Sequence, residues 1–118
     1  SKRLAEDYLY LRIAQFQANT GGDLVKAFQK AEQARQLGQW SAALTYLDQA
    51  RQIQPRNPAV LYRQAWVCLQ VGDARRAQQL LQRAKVFAAG DSNFLRRIDA
   101  LIIGSHMAGA VRASLSAT

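Results

Sequence analysis

The side chains that could do chemistry in this sequence are aromatic and cationic. Tyr62, Trp66 and Leu69 recur at steps of four and three, which puts them on one face of a helix. Arg63 stands beside them, and Arg97 lies 34 residues further along. Aromatic rings bury apolar side chains and guanidinium groups hold acidic ones, so this combination suits a bound peptide. The groups that would run a reaction are isolated or foreign. Glu6-Asp7 and the scattered carboxylates form no obvious pair, the serines have no base to activate them, and Gly21-Gly22 reads as a turn and not as a phosphate loop. The single histidine, His106, falls in Gly104-Ser105-His106-Met107, which reads as the remnant of a cleaved affinity tag and is set aside. The single cysteine, Cys68, sits in the apolar run Trp66-Val67-Cys68-Leu69 and reads as a small buried hydrophobe. It supports neither an intrachain disulfide nor a cysteine metal site. No enzyme, no cofactor and no metal is expected.

The elements that position these side chains follow from composition. The chain has 118 residues, one domain's worth, and 49% of them are hydrophobic. Ala, Gln, Leu and Arg dominate, and only two prolines interrupt them, so the domain reads as all-α. The net charge of +8 favours an acidic partner, whether a peptide, a nucleic acid or an anionic surface. Arg51, Arg75, Arg76, Arg83 and Lys85 make nucleic acid the rival class. They are interspersed with glutamine and form no dense run, which argues against it. No run approaches the roughly 18 apolar residues of a membrane span. No signal peptide stands at the start, and a cytoplasmic location is the default expectation. The chain begins at Ser1 without a methionine, so a targeting segment is left open.

Self-similarity appears at a spacing of 34 residues. Gly38 matches Gly72, Ala43 matches Ala77, Leu47 matches Leu81, and Ala50 matches Ala84. Asp23, Asn57 and Asp91 share the spacing, each just before an apolar helical pattern, where an Asx side chain caps free N–H groups. Pro58 fits the first helical position, and Gly38 and Gly72 fit a left-handed helix end. Pro55 closes the helix it follows. The spacing predicts a helix over 2–18, a loop at 19–22, repeat one over 24–57, repeat two over 58–91 and a last helix over 92–103. Within the repeats the helices are expected at 24–37, 41–54, 58–71 and 74–88. Residues 104–107 read as the tag remnant and 108–118 as a tail or fused peptide.

The run Leu37-Gly38-Gln39-Trp40-Ser41-Ala42-Ala43-Leu44, with Leu47, Ala50 and Pro55, resembles the tetratricopeptide repeat, a 34-residue helix-turn-helix unit. Ala65, Gly72, Ala77, Leu81 and Ala84 carry the likeness into the second repeat; Ala74 and Ala89 depart from it, and Lys30 and Gln64 replace the usual apolar residue. The resemblance implies a superhelix of helical hairpins whose first helices line a concave groove. It points to Phe28, Glu32, Arg35, Tyr62, Arg63, Trp66, Gln70, Asn93, Arg96 and Arg97 as groove residues. The family's carboxylate clamp is poorly matched, because Phe28, Glu32 and Arg63 occupy its positions and only Arg97 fits. The expected function is a non-catalytic module that binds a peptide or helix of a partner protein, acidic or amphipathic. Its expected role is scaffold, adaptor or chaperone in a bacterial assembly or secretion system. The alternatives are nucleic-acid binding through the basic surface and self-association, a homodimer through the terminal helices.

Overall fold

A computed structural model of the chain describes the backbone of residues 23–116 and the side chains of residues 23–104. Among the described residues there are five helices and no strand: α1 (Asp23–Gln36), α2 (Trp40–Ile53), α3 (Pro58–Gln70), α4 (Ala74–Phe87) and α5 (Ser92–Ser116). The expected helix over 2–18, the loop at 19–22 and the pair Glu6-Asp7 lie outside the described residues.

The turns form where the sequence leaves the backbone no cheaper choice. At the end of α1, Gly38 takes a positive φ of 74°, Gln39 N–H donates to the Ala34 carbonyl at 2.8 Å, and Gly38 N–H donates to Arg35 at 3.0 Å. At the end of α3 the same pair of bonds recurs, Asp73 to Cys68 at 2.9 Å and Gly72 to Leu69 at 3.2 Å, with Gly72 at φ 87°. Both are Schellman closures, in which a left-handed glycine lets two orphan carbonyls find donors. α3, α4 and α5 start on side-chain caps, whereas Gln39 before α2 provides none. Asn57 Oδ1 accepts from Ala59 N–H at 3.0 Å, Asp73 Oδ1 from Arg76 N–H at 3.2 Å, and Asp91 Oδ1 from Phe94 N–H at 3.1 Å. Asp23 differs from expectation by one position: it is the first residue of α1 and does not precede it.

Each short turn folds its two helices back on one another, giving the hairpins α1–α2 and α3–α4. Ala43, Leu47 and Ala50 on α2, and Ala77, Leu81 and Ala84 on α4, are fully buried. The alanines let the helix backbones approach, and the leucines fill the seam. α2 packs on α3 and α4 on α5, so one core runs through both hairpins and ends on Phe94 and Ile98.

The last helix corrects an expectation. It was expected to end at residue 103, but α5 continues through 104–107 to Ser116. Gly104 has no positive φ, no proline follows, and the alanine-rich run supplies no stop signal. The side chains of 105–118, His106 among them, lie outside the described residues.

Gly38 and Gly104 make a matched test of backbone conformation, because an added Cβ meets nothing within 4 Å at either position. Gly38→Ala is expected to lower stability by about 1 kcal/mol, since only the left-handed strain changes. Gly104→Ala, within a helix, is expected to raise it by up to about 1 kcal/mol. Denaturant melts of the two variants check the opposite signs.

Candidate functional site

Side chains of α1, α3 and α5 meet one another across the helices. The centre is Glu32 on α1, only 2% exposed. Its Oε2 accepts two bonds from Arg35 one turn later, from Nε at 3.0 Å and from an Nη at 2.5 Å. Its Oε1 lies 2.6 Å from Nε of Arg63 on α3. The two groups form a buried ion pair that joins the helices. Arg63 is itself 6% exposed. Burial lowers its pKa, while Glu32 holds it up and Arg35 pushes it further down.

Trp66, one turn after Arg63, completes the cluster. Its ring centroid lies 5.0 Å from the Arg35 guanidinium and 5.4 Å from that of Arg63, both within cation–π range. Trp40, at the start of α2, meets it edge-on at 6.0 Å. Tyr62 packs edge-on against Phe94 of α5 at 5.9 Å and 85°. Burial raises the Tyr62 phenol above its usual 10.0, while Arg63 and then Arg97 pull it the other way. The repeat spacing placed Arg63 and Arg97 on one rail, and both guanidinium groups do act on the same phenol.

The ten residues expected in the groove fall into three states. Phe28 is fully buried in the core and presents no surface to a ligand. Glu32 and Arg63 are buried as an ion pair, so Arg63 is not the solvated cation that its residue type suggests. Arg35, Tyr62, Trp66 and Arg97 are half-buried, and Gln70, Asn93 and Arg96 are exposed. Asn93 lies one turn before Arg97 and shares its side of α5.

Two features carried no strong sequence signal. Gln64 is fully buried, and its Nε2 donates to Asp48 Oδ1 of α2 at 2.6 Å. Its Oε1 has no partner. The only hint was that an amide occupies a position where the repeat usually carries an apolar residue. Gly90, at φ 93°, precedes the Asp91 cap in a third turn. Cys68 is buried as expected, and burial pushes its thiol pKa up, away from reactivity. Among the described residues no group of three or more His, Cys, Asp or Glu could hold a metal ion. No helix among them is long and apolar enough to cross a membrane.

Two stacked helical hairpins, each closed by a glycine turn, with a further helix on the second, define an α-helical repeat array. The family model of the tetratricopeptide repeat matches residues 34–96, more than half of the chain, and the chain belongs to that family. Repeats of this family generally mediate protein–protein interaction. No curated protein and no solved structure matches the chain significantly.

Glu32→Gln keeps the volume but leaves Arg63 buried without its carboxylate. It is expected to cost about 3–5 kcal/mol, read from denaturant unfolding. Tyr62 sets an alkaline limit. Its folded-state pKa is raised, so the stability contributed by the neutral phenol is complete below pH 10.0 and is lost as pH rises through the folded value. Unfolding free energies measured across that range are expected to fall less steeply in Tyr62→Phe.

Proposed function

We propose that the side of the array formed by α1, α3 and α5 holds a segment of a partner protein without catalysing a reaction on it. The observation that carries this reading is the half-exposed Trp66. Its ring is fixed by Trp40 at 6.0 Å and by two guanidinium groups, so it offers an apolar surface that is already ordered. A preordered aromatic loses little conformational entropy on binding and makes a good anchor. Tyr62 extends the apolar surface toward α5, and Arg96, Arg97 and Asn93 border it with positive charge and amide donors.

The partner segment that fits is amphipathic. Apolar side chains rest on Trp66 and Tyr62, and acidic ones face the arginines of α5. Glu32 offsets one of the two positive charges of Arg35 and Arg63 and holds both guanidinium groups against itself, so the acidic preference rests mainly on α5. A domain of this kind serves as scaffold, adaptor or chaperone; the setting in a bacterial assembly or secretion system is part of the same proposal.

Capture from lysate tests the reading with three proteins: the unaltered chain, Trp66→Ala, and the double variant Asn93→Ala/Arg96→Glu. The last alters only exposed positions, so it keeps the fold intact if Trp66→Ala does not, and circular dichroism checks both. A partner retained by the unaltered chain is expected to be lost at least tenfold in each folded variant. Equal recovery by the double variant and the unaltered chain rejects this side of the array as the binding surface.

A further inference from the structure

The other pair of helices carries a second, chemically different feature. Between α2 and α4 lies a cleft of about 550 Å³, lined by Arg51, Arg76, Gln79, Leu80, Gln82 and Arg83. Three guanidinium groups and two amides surround it, and no carboxylate does. The sequence of α4 has a basic residue at 75, 76, 83 and 85 and no acidic residue at all. Lys85 is matched by Asp99 at 3.1 Å. Among the described residues Arg51, Arg76 and Arg83 make no ion pair.

The nearby acidic residues hold other partners and do not line the cleft: Asp48 borders the neighbouring depression beside Arg51, and Asp73 accepts from the backbone N–H of Arg76. Glu32 is held by Arg35 and Arg63, Asp48 accepts from Gln64, and Asp73 and Asp91 cap α4 and α5. The fold thus spends its carboxylates on helix ends and on the α1–α3 contact and leaves like charges gathered around one cavity. Such a gathering repels itself unless an anion sits within it.

We infer that the cleft between α2 and α4 binds the phosphodiester backbone of a nucleic acid. Arginine forks grip phosphate oxygens with two parallel N–H bonds, and the glutamine amides add neutral donors. Arg76 and Arg83 are seven residues apart on α4, two helical turns or about 10.5 Å, so they form a row and not a single point. A row suits successive phosphates along a strand. The lining holds no aromatic ring on which a base could stack and only one apolar side chain, Leu80, which is itself buried. Recognition is therefore of the backbone and independent of sequence. With no exposed apolar side chain in the lining, an amphipathic protein segment or a membrane has no anchor here. The inference stands apart from the α1–α3–α5 reading, because the two share no residue.

The test is binding of a fluorescent 20-base-pair duplex of random sequence, and of the matching single strand, over a series of salt concentrations. The full chain is compared with Arg51→Gln/Arg76→Gln/Arg83→Gln and with Lys26→Gln/Lys30→Gln/Arg56→Gln, which removes equal charge from exposed positions outside the cleft. Circular dichroism confirms that all three proteins are folded. The unaltered chain is expected to bind at low salt with a slope of log affinity against log salt near −2.7, about −0.9 for each of three phosphates. The cleft variant is expected to lose at least tenfold in affinity and most of that slope, while the control variant keeps both within about threefold. Absence of binding by the unaltered chain overturns the inference. So does an equal loss in both variants, which would mark attraction to overall charge. Retention on phosphatidylserine vesicles or on polyglutamate, but not on either nucleic acid, overturns it in favour of another polyanion.

Discussion

The molecule depends on the close approach of helices within each hairpin. Ala43 and Ala50 against α1, and Ala77 and Ala84 against α3, are small enough to let backbones come together and are completely buried. Interiors pack at crystal-like density, so a larger side chain at any of these positions would push the hairpin open and displace everything laid on it. The consequence reaches the far side of the array. Trp66, Arg63 and Tyr62 stand on α3, and their partners Arg35, Glu32 and Phe94 stand on α1 and α5. None of these helices could be spaced correctly if the seams behind them were wider.

Charge is distributed with the same economy. Buried Glu32 and Arg63 lock α1 to α3 as an ion pair, and Arg35 adds two hydrogen bonds to the same carboxylate within α1. A buried pair of this sort contributes little net stability, because desolvation offsets most of the attraction, yet it punishes any arrangement that separates its members. The outer helices α2 and α4 face the opposite situation, with arginines left unmatched around a cavity. One protein therefore shows two electrostatic regimes: a sealed one on the first helices, where two arginines share a carboxylate, and an open one on the second, where no carboxylate lines the cavity.

Much of this was legible in the residues. Gly38, Gly72 and Asn57-Pro58 carry local instructions that need no tertiary context, and the four repeat helices fall within one residue of their expected bounds at either end. The alternation of Ala43, Leu47 and Ala50 names a buried face by periodicity alone. Depth was not legible. Periodicity says which way Phe28 points and nothing about how much covers it, so a residue expected at a ligand surface is core. Arg63 was misjudged for a related reason: its carboxylate lies on another helix, beyond the reach of any rule about neighbours three or four apart. The length of α5 escaped because Gly104-Ser105-His106-Met107 read as a tag remnant and was set aside, whereas the backbone carries the helix through it at the modest cost of a helical glycine. The cleft residues of α4 were recognisable as basic, but the cavity among them exists only once α2 is set beside α4.

The bond between Gln64 and Asp48 has a consequence for how the units find their order. Repeats of near-identical length and shape can stack in the wrong sequence or exchange between molecules, since each seam resembles the next. Here the seams are chemically distinct. The residues 34 positions either side of Gln64 are Lys30, which is exposed, and Ile98, which is fully buried, while Asp48 corresponds to Gln82. Laying α5 on α2 would set Ile98 against a carboxylate. Laying α3 on α4 out of turn would give the Gln64 amide only the neutral Gln82 in place of the Asp48 carboxylate, a weaker acceptor. A single amide in an otherwise oily seam thus acts as a key that tells one junction from another, and its unsatisfied Oε1 is the cost of that discrimination.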